Sequence, residues 1–118
     1  GEVAEAYMEQ MRHLEQEHCV AVFVDNKDSR IMDVRLSIGN LNCSIMSARE
    51  IFRQALLCNA ASVILLHNHP SGDPTPSDAD RRMTRKVREA GNFLDIPLLD
   101  HIVLGDKNYV SFREKGYL

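Results

Sequence analysis

Apolar and polar residues recur along this chain with two different periods, and each change of period marks an element. Val3, Tyr7, Met11 and Leu14 are spaced by four, four and three, which predicts one buried stripe of a helix over residues 2–15. The stretch "CVAVFVDN" (19–26) is dense in β-branched and aromatic residues and stops at Asp25-Asn26, a strand followed by a turn. In "IMDVRLSIG" (31–39), Ile31, Asp33 and Arg35 alternate with Met32, Val34 and Leu36, a strand with one wet face and a hairpin partner for the first. "SARE" from Ser47 to Glu50 fits a capping box, and Ile51, Phe52, Ala55 and Leu56 form the buried stripe of the helix it opens.

Val63 to Leu66 are apolar without alternation, as expected of a central strand covered on both faces. A loop over 70–76 carries three prolines and Gly72. A helix then starts at Ser77, with apolar positions Ala79, Met83, Val87 and Ala90 and a stop at Gly91. "LLDHIVLG" and "YVSFRE" predict two last strands paired as a hairpin. The order α, β, β, α, β, α, β, β predicts an α/β fold, a mixed β-sheet flanked by helices.

Length and composition narrow the class. The 118 residues, 44% hydrophobic and 26% charged, suit a single globular domain over 1–118. No apolar run reaches the ~20 residues of a membrane span, and "GEVAEAYMEQ" has no apolar signal-peptide centre. Three cysteines, Cys19, Cys43 and Cys58, cannot all pair within one chain and show no CxxC spacing. Reduced, buried thiols and a cytoplasmic protein are the expectation. A net charge of −3 argues against a surface built as a whole for nucleic acid.

The chemistry concentrates in "VILLHNHPSGDPTPSDAD", Val63 to Asp80. Side chains at i and i+2 of a strand share a face, so His67 and His69 point the same way while Asn68 points to the other. Imidazoles about 6–7 Å apart at Cα can share one metal ion. Pro70, Pro74 and Pro76 stiffen the loop that follows. It leads into a helix whose first turn carries Asp78 and Asp80, beside a strand's carboxyl end, where open α/β sheets place their sites. Asp80 would complete a His₂Asp set, which leaves zinc a fourth position for water. A bland reading competes: Ser77-Asp-Ala-Asp80 is also a capping box, and Asp78 is a first-turn acid on the helix dipole.

"HNHPSGDPTPSDAD" resembles the JAMM (JAB/MPN) metalloprotease motif, His-x-His-Pro, a glycine, then Ser-x-x-Asp. Within that superfamily the chain is similar to the RadC proteins, through "HNHPSG", "AREIFRQAL", "LLDHIVLG" and "YVSFREKGYL", over roughly residues 13–118. RadC chains typically add an N-terminal helix-hairpin-helix region, to which nothing here corresponds. The resemblance implies a JAB/MPN, cytidine-deaminase-like architecture and Zn²⁺ held by His67, His69 and Asp80. It implies that the Ser77 hydroxyl helps stabilise a tetrahedral intermediate, as an oxyanion donor does. It also implies a glutamate general base near the first strand. Glu17 fits that place, with Glu50 the competitor; a capping box already accounts for Glu50, and a solvated helix-end acid is the bland reading of Glu17.

Other polar residues have simpler readings. Asp100 and His101 either orient a ligand imidazole or form a satisfied pair at the core edge, the simpler of the two. His13 and His18 are expected to be exposed, and Cys43 and Cys58 to be small buried residues. Arg81, Arg82, Arg85, Lys86 and Arg88 read as a solvated helix surface, since no base-reading or stacking motif accompanies them.

Three function classes follow. The first is a zinc hydrolase of JAMM type acting on a peptide or isopeptide bond of a protein or peptide substrate. Neither the HExxH of zincins nor the HxE…PCxxC of zinc deaminases occurs. The second is a DNA-associated module, since RadC proteins are commonly labelled DNA repair proteins; the acidic balance counts against it. The third is a non-catalytic MPN-like scaffold, which ranks last because every ligand of the motif is present.

Overall fold

The computed structural model describes residues 2–11, 17–27, 29–39 and 47–118, and at 2, 9–11, 17 and 35–39 the backbone alone. The elements in chain order are α1 (Glu2–Met11), β1 (Glu17–Val24), β2 (Arg30–Gly39), α2 (Ala48–Leu57), β3 (Ser62–Asn68), α3 (Asp78–Leu94), β4 (Leu98–Leu104) and β5 (Tyr109–Ser111). The strands form one mixed sheet in the order β2-β1-β3-β4-β5. The unalternating β3 is thus its middle strand, antiparallel to β1 and parallel to β4, with α3 as the crossover that a parallel pair requires. β1–β2 and β4–β5 are the expected antiparallel hairpins.

Both faces of the sheet are covered, which explains the continuous apolar runs. On one face Cys19, Ala21, Phe23, Val63 and Leu65 pack under Ile51, Phe52 and Ala55 of α2 and Met83 and Val87 of α3. On the other, Val20, Val22, Leu66 and Leu104 pack under Ala4 and Tyr7 of α1. His67 continues the Val63–Leu65 series, so alternation delivers it to the α3 side of the sheet.

Several expectations are corrected. Leu56 is 57% exposed, because the buried stripe of α2 ends at Ala55. Gly91 does not stop α3, which runs on to Leu94 and is capped by Asp95 in the left-handed region at φ 58°. Ile31 and Met32 are both exposed, because β2 is an edge strand. β5 ends at Ser111, where the chain turns. Cys19 is disulfide-bonded while Cys58 is free. A bonded Cys19 departs from the expectation of reduced thiols, so the cysteines do not speak for a reducing compartment. Cys43 lies outside the described residues. No described helix is long and apolar enough to cross a membrane.

Candidate metal centre

The carboxyl end of β3 and the amino end of α3 converge on three side chains. His67 lies within β3, with its side chain 1% exposed, and His69 lies just past the strand, with its side chain 18% exposed. The main-chain N–H of His69 still donates to Leu104 O of β4 at 2.8 Å, which keeps the chain on the sheet. The loop then folds back: Gly72 N–H donates to His69 O, and Gly72, at φ +90°, passes its own carbonyl to Asp106 N–H. This brings Asp73 O to 2.9 Å from His69 Nδ1. A carbonyl only accepts, so Nδ1 donates, and Nε2 is the ring nitrogen left to face His67 and Asp80.

Ser77 is the N-cap of α3, and the capping box is complete: Ser77 Oγ accepts from Asp80 N–H at 3.0 Å, and Ser77 N–H donates to Asp80 Oδ2 at 2.8 Å. The box turns the Asp80 carboxylate inward. Its Oδ2 lies 3.4 Å from Nε2 of His67 and 3.4 Å from Nε2 of His69, and the two Nε2 atoms are 3.0 Å apart. Burial by itself raises the Asp80 pKa, but His67, His69 and the Ser77 N–H more than reverse this and hold the carboxyl well below the usual carboxylate range. One carboxylate oxygen and two imidazole nitrogens thus converge on one point.

That triangle fits a metal ion. A tetrahedral zinc with bonds of ~2.0–2.1 Å has ligand-to-ligand edges of about 3.3 Å, against the 3.0, 3.4 and 3.4 Å here. Asp80 Oδ1 is buried and has no hydrogen-bond partner among the described residues, an expensive arrangement unless something else claims the carboxylate. His67, His69 and Asp80 are also the one group of three such side chains close enough to share an ion among the described residues.

Behind the triangle, His101 Nε2 lies 2.7 Å from His67 Nδ1, and His101 Nδ1 lies 2.5 Å from Thr84 Oγ1. The His101 ring thus contacts the His67 imidazole directly, while its main-chain N–H pairs with Asp100. Burial first, then the nearby His67, push the His101 pKa well below its ordinary value. Asp100 turns away and is satisfied by His101 N–H, Ser111 Oγ and Arg113 N–H. Thr84 was not singled out from the sequence; its position four after Asp80, on the same helix face, is the signal that would find it.

The remaining sequence-predicted residues fall elsewhere. β1 begins at Glu17, paired with Gly39, but the Glu17 side chain and His13 lie outside the described residues. Glu50 sits exposed in the first turn of α2, 4.0 Å from Arg53, and only the Ser47 half of its box forms. His18 is buried, not exposed: β1 enters the sheet there, and its main-chain N–H donates to Asn68 Oδ1. Arg81 stacks over the Tyr117 ring at 4.2 Å, so this part of the basic helix face is engaged within the domain.

The chain matches the family model of the RadC-like JAB domain over residues 1–117. It is 51% identical to the UPF0758 protein YsxA of Bacillus subtilis, over 98% of this chain and 50% of that protein. It is also 49% identical to a UPF0758 protein of Methanococcoides burtonii, over 91% of this chain and 47% of that protein. The chain thus spans about half the length of these relatives. The mixed sheet with its helices is consistent with a JAB domain, and on these matches the chain belongs to the RadC-like JAB-domain family.

Proposed function

We propose that this domain is a zinc-dependent hydrolase of JAMM type that cleaves a peptide or isopeptide bond in a protein or peptide substrate. The observation that carries the reading is the near-equilateral triangle of His67 Nε2, His69 Nε2 and Asp80 Oδ2, with edges suited to a tetrahedral ion. Bound there, zinc supplies a Lewis acid and a water whose pKa is lowered toward ~7.

The protein's own groups supply the rest. His69 is held by Asp73 O, and Asp80 by the Ser77 main chain, so both ligands are positioned before any substrate arrives. Ser77 Oγ accepts from Asp80 N–H, which leaves its own hydrogen to donate. The residue is exposed, so that donor is available to a carbonyl oxygen acquiring charge. Glu17 is assigned the proton transfers, taking a proton from the attacking water and returning it to the leaving amine.

Metal analysis and turnover test this together. Purified protein is expected to carry about one zinc per chain, and His67→Ala and Asp80→Ala to lose it. Glu17→Gln should retain the metal and lose hydrolysis of peptide and isopeptide substrates. Turnover that survives Glu17→Gln and stops in Glu50→Gln reassigns the base. A native protein with no zinc after metal reconstitution removes the reading.

A further inference from the structure

We infer that Thr84 and His101 are positioning residues that fix which ring nitrogen of His67 carries its proton, and that the chain of bonds ends on the main-chain carbonyl of Asp80. The inference rests on the metal reading above and extends it to groups that touch no metal.

The direction of each bond follows from the one before. Thr84 Oγ1 lies 2.7 Å from Asp80 O. A carbonyl oxygen has no hydrogen, so the Thr84 hydroxyl donates its only one there. Oγ1 must then accept from His101 Nδ1 at 2.5 Å, so Nδ1 carries a hydrogen. The His101 ring is fully buried and stacked on Phe112 with centroids 4.7 Å apart, surroundings that disfavour an imidazolium. Neutral His101 therefore has a lone pair at Nε2. His67 Nδ1, 2.7 Å away, must donate to it. A hydrogen of His67 is thereby fixed on Nδ1, which leaves Nε2, facing His69 and Asp80, as the nitrogen available to a metal.

The two ligand imidazoles are thus set by the same device over different distances. His69 reaches a carbonyl directly, through Asp73 O. His67 lies inside the sheet, and its reach to a carbonyl runs through a diagonal neighbour on β4 and then α3. His101 can play that part because it is opposite Leu65 in the β3–β4 register, on the face that His67 shares. Asp80 closes the circuit: its side chain faces the imidazole whose tautomer its main chain determines.

Nitrogen-15 NMR of the histidine rings, with zinc affinity measured by chelator competition, tests the inference. In the native protein His101 is expected to be protonated at Nδ1 and bare at Nε2, the less favoured neutral form of a free histidine. Thr84→Val keeps the volume and removes the hydroxyl. It should give a mixture of His101 tautomers and weaken zinc about 10- to 100-fold. His101→Phe should weaken it by a similar factor, and His101→Gln, whose Oε1 can stand where Nε2 stood, should recover most of the loss. Zinc bound by a protein whose His101 is protonated at Nε2 overturns this inference alone. Unchanged zinc affinity in folded Thr84→Val does the same. Absence of zinc binding in the native protein, with His101 protonated at Nδ1, overturns the metal reading and the positioning role with it. Should Thr84→Val not fold, the native His101 spectrum decides.

Discussion

Asp80 accepts the main-chain N–H of Ser77 at Oδ2, 2.8 Å away, and that same oxygen lies 3.4 Å from Nε2 of both His67 and His69. A cap and a candidate metal-facing carboxylate are therefore compatible readings of Ser77-Asp-Ala-Asp80. Capping is the means by which the carboxylate is aimed, and the first turn of α3 is organised before an ion arrives.

Separating the two roles gives the first prediction. Asp80→Asn keeps a carbonyl oxygen for the Ser77 N–H and removes the charge. The metal-free protein should stay within about 1 kcal/mol of native, whereas Asp80→Ala, which also loses its half of the box, should cost about 0.5–2 kcal/mol. Both should lose metal affinity. Denaturation in chelator and a zinc titration measure the two effects, and native zinc affinity in Asp80→Asn would remove Asp80 from the ligand set.

The positions of His67, His69 and Asp80 were legible because a strand end, a proline-rich loop and a helix start are each marked by local signals. The central place of β3 was legible from Val63–Leu66 for a related reason: a strand covered on both faces has no polar residue to alternate with. What failed depends on non-local contacts. Leu56 fits the helical period, yet it stays 57% exposed, while the sheet and α3 cover Ile51, Phe52 and Ala55 of the same helix. His18 lacks a sequence partner because its partner, Asn68, is fifty positions away. Which imidazole His101 meets is set by tertiary contacts: strand alternation sends the Asp100 and His101 side chains to opposite faces, and the β3–β4 register brings His101 to His67.

Gly91 is another residue whose role is tertiary. A Cβ there would lie 2.5 Å from Ile96 O and 3.1 Å from Phe52 Cζ. Helix propensity favours Gly91→Ala by about 1 kcal/mol. The clash is with main chain, which cannot swing aside, and such overpacking costs about 1–3 kcal/mol. Net destabilisation of up to about 2 kcal/mol is expected by urea denaturation. A stabilised Gly91→Ala protein would show that the chain around Ile96 yields freely.

Tyr7 anchors α1 to the β1–β2 hairpin: its hydroxyl donates to Asp33 Oδ2 at 2.7 Å and accepts from Arg30 at 3.1 Å. Burial, then the bond to Asp33, raise the Tyr7 pKa above its ordinary value. The folded state thus holds the phenolic proton more tightly than the unfolded chain. Its contribution is complete below about pH 10 and declines as pH rises through the higher folded-state pKa. Tyr7→Phe should cost about 0.5–1.5 kcal/mol at neutral pH and flatten the alkaline fall in stability. An alkaline limb identical in the two proteins would assign that fall to other groups.

Gly105 connects the turn after β4 to the candidate metal centre. A Cβ at this position would overlap Gly72 O, reach 2.5 Å from Asn108 Oδ1 and lie 3.0 Å from Pro74 Cδ. Gly72 and Pro74 flank Asp73, whose carbonyl holds His69 Nδ1. Gly105→Ala should therefore push the loop off the β4–β5 turn, costing about 1–3 kcal/mol as overpacking does. It should also free the His69 ring to take its other tautomer, although residue 105 is not a ligand. The expected result is weaker zinc binding, on the order of the 10- to 100-fold loss seen when a group supporting a ligand is removed. Gly91→Ala is the control, because it carries a comparable packing penalty away from the loop. Equal zinc affinities in the two variants would mean that the loop holds His69 without help from the turn beneath it.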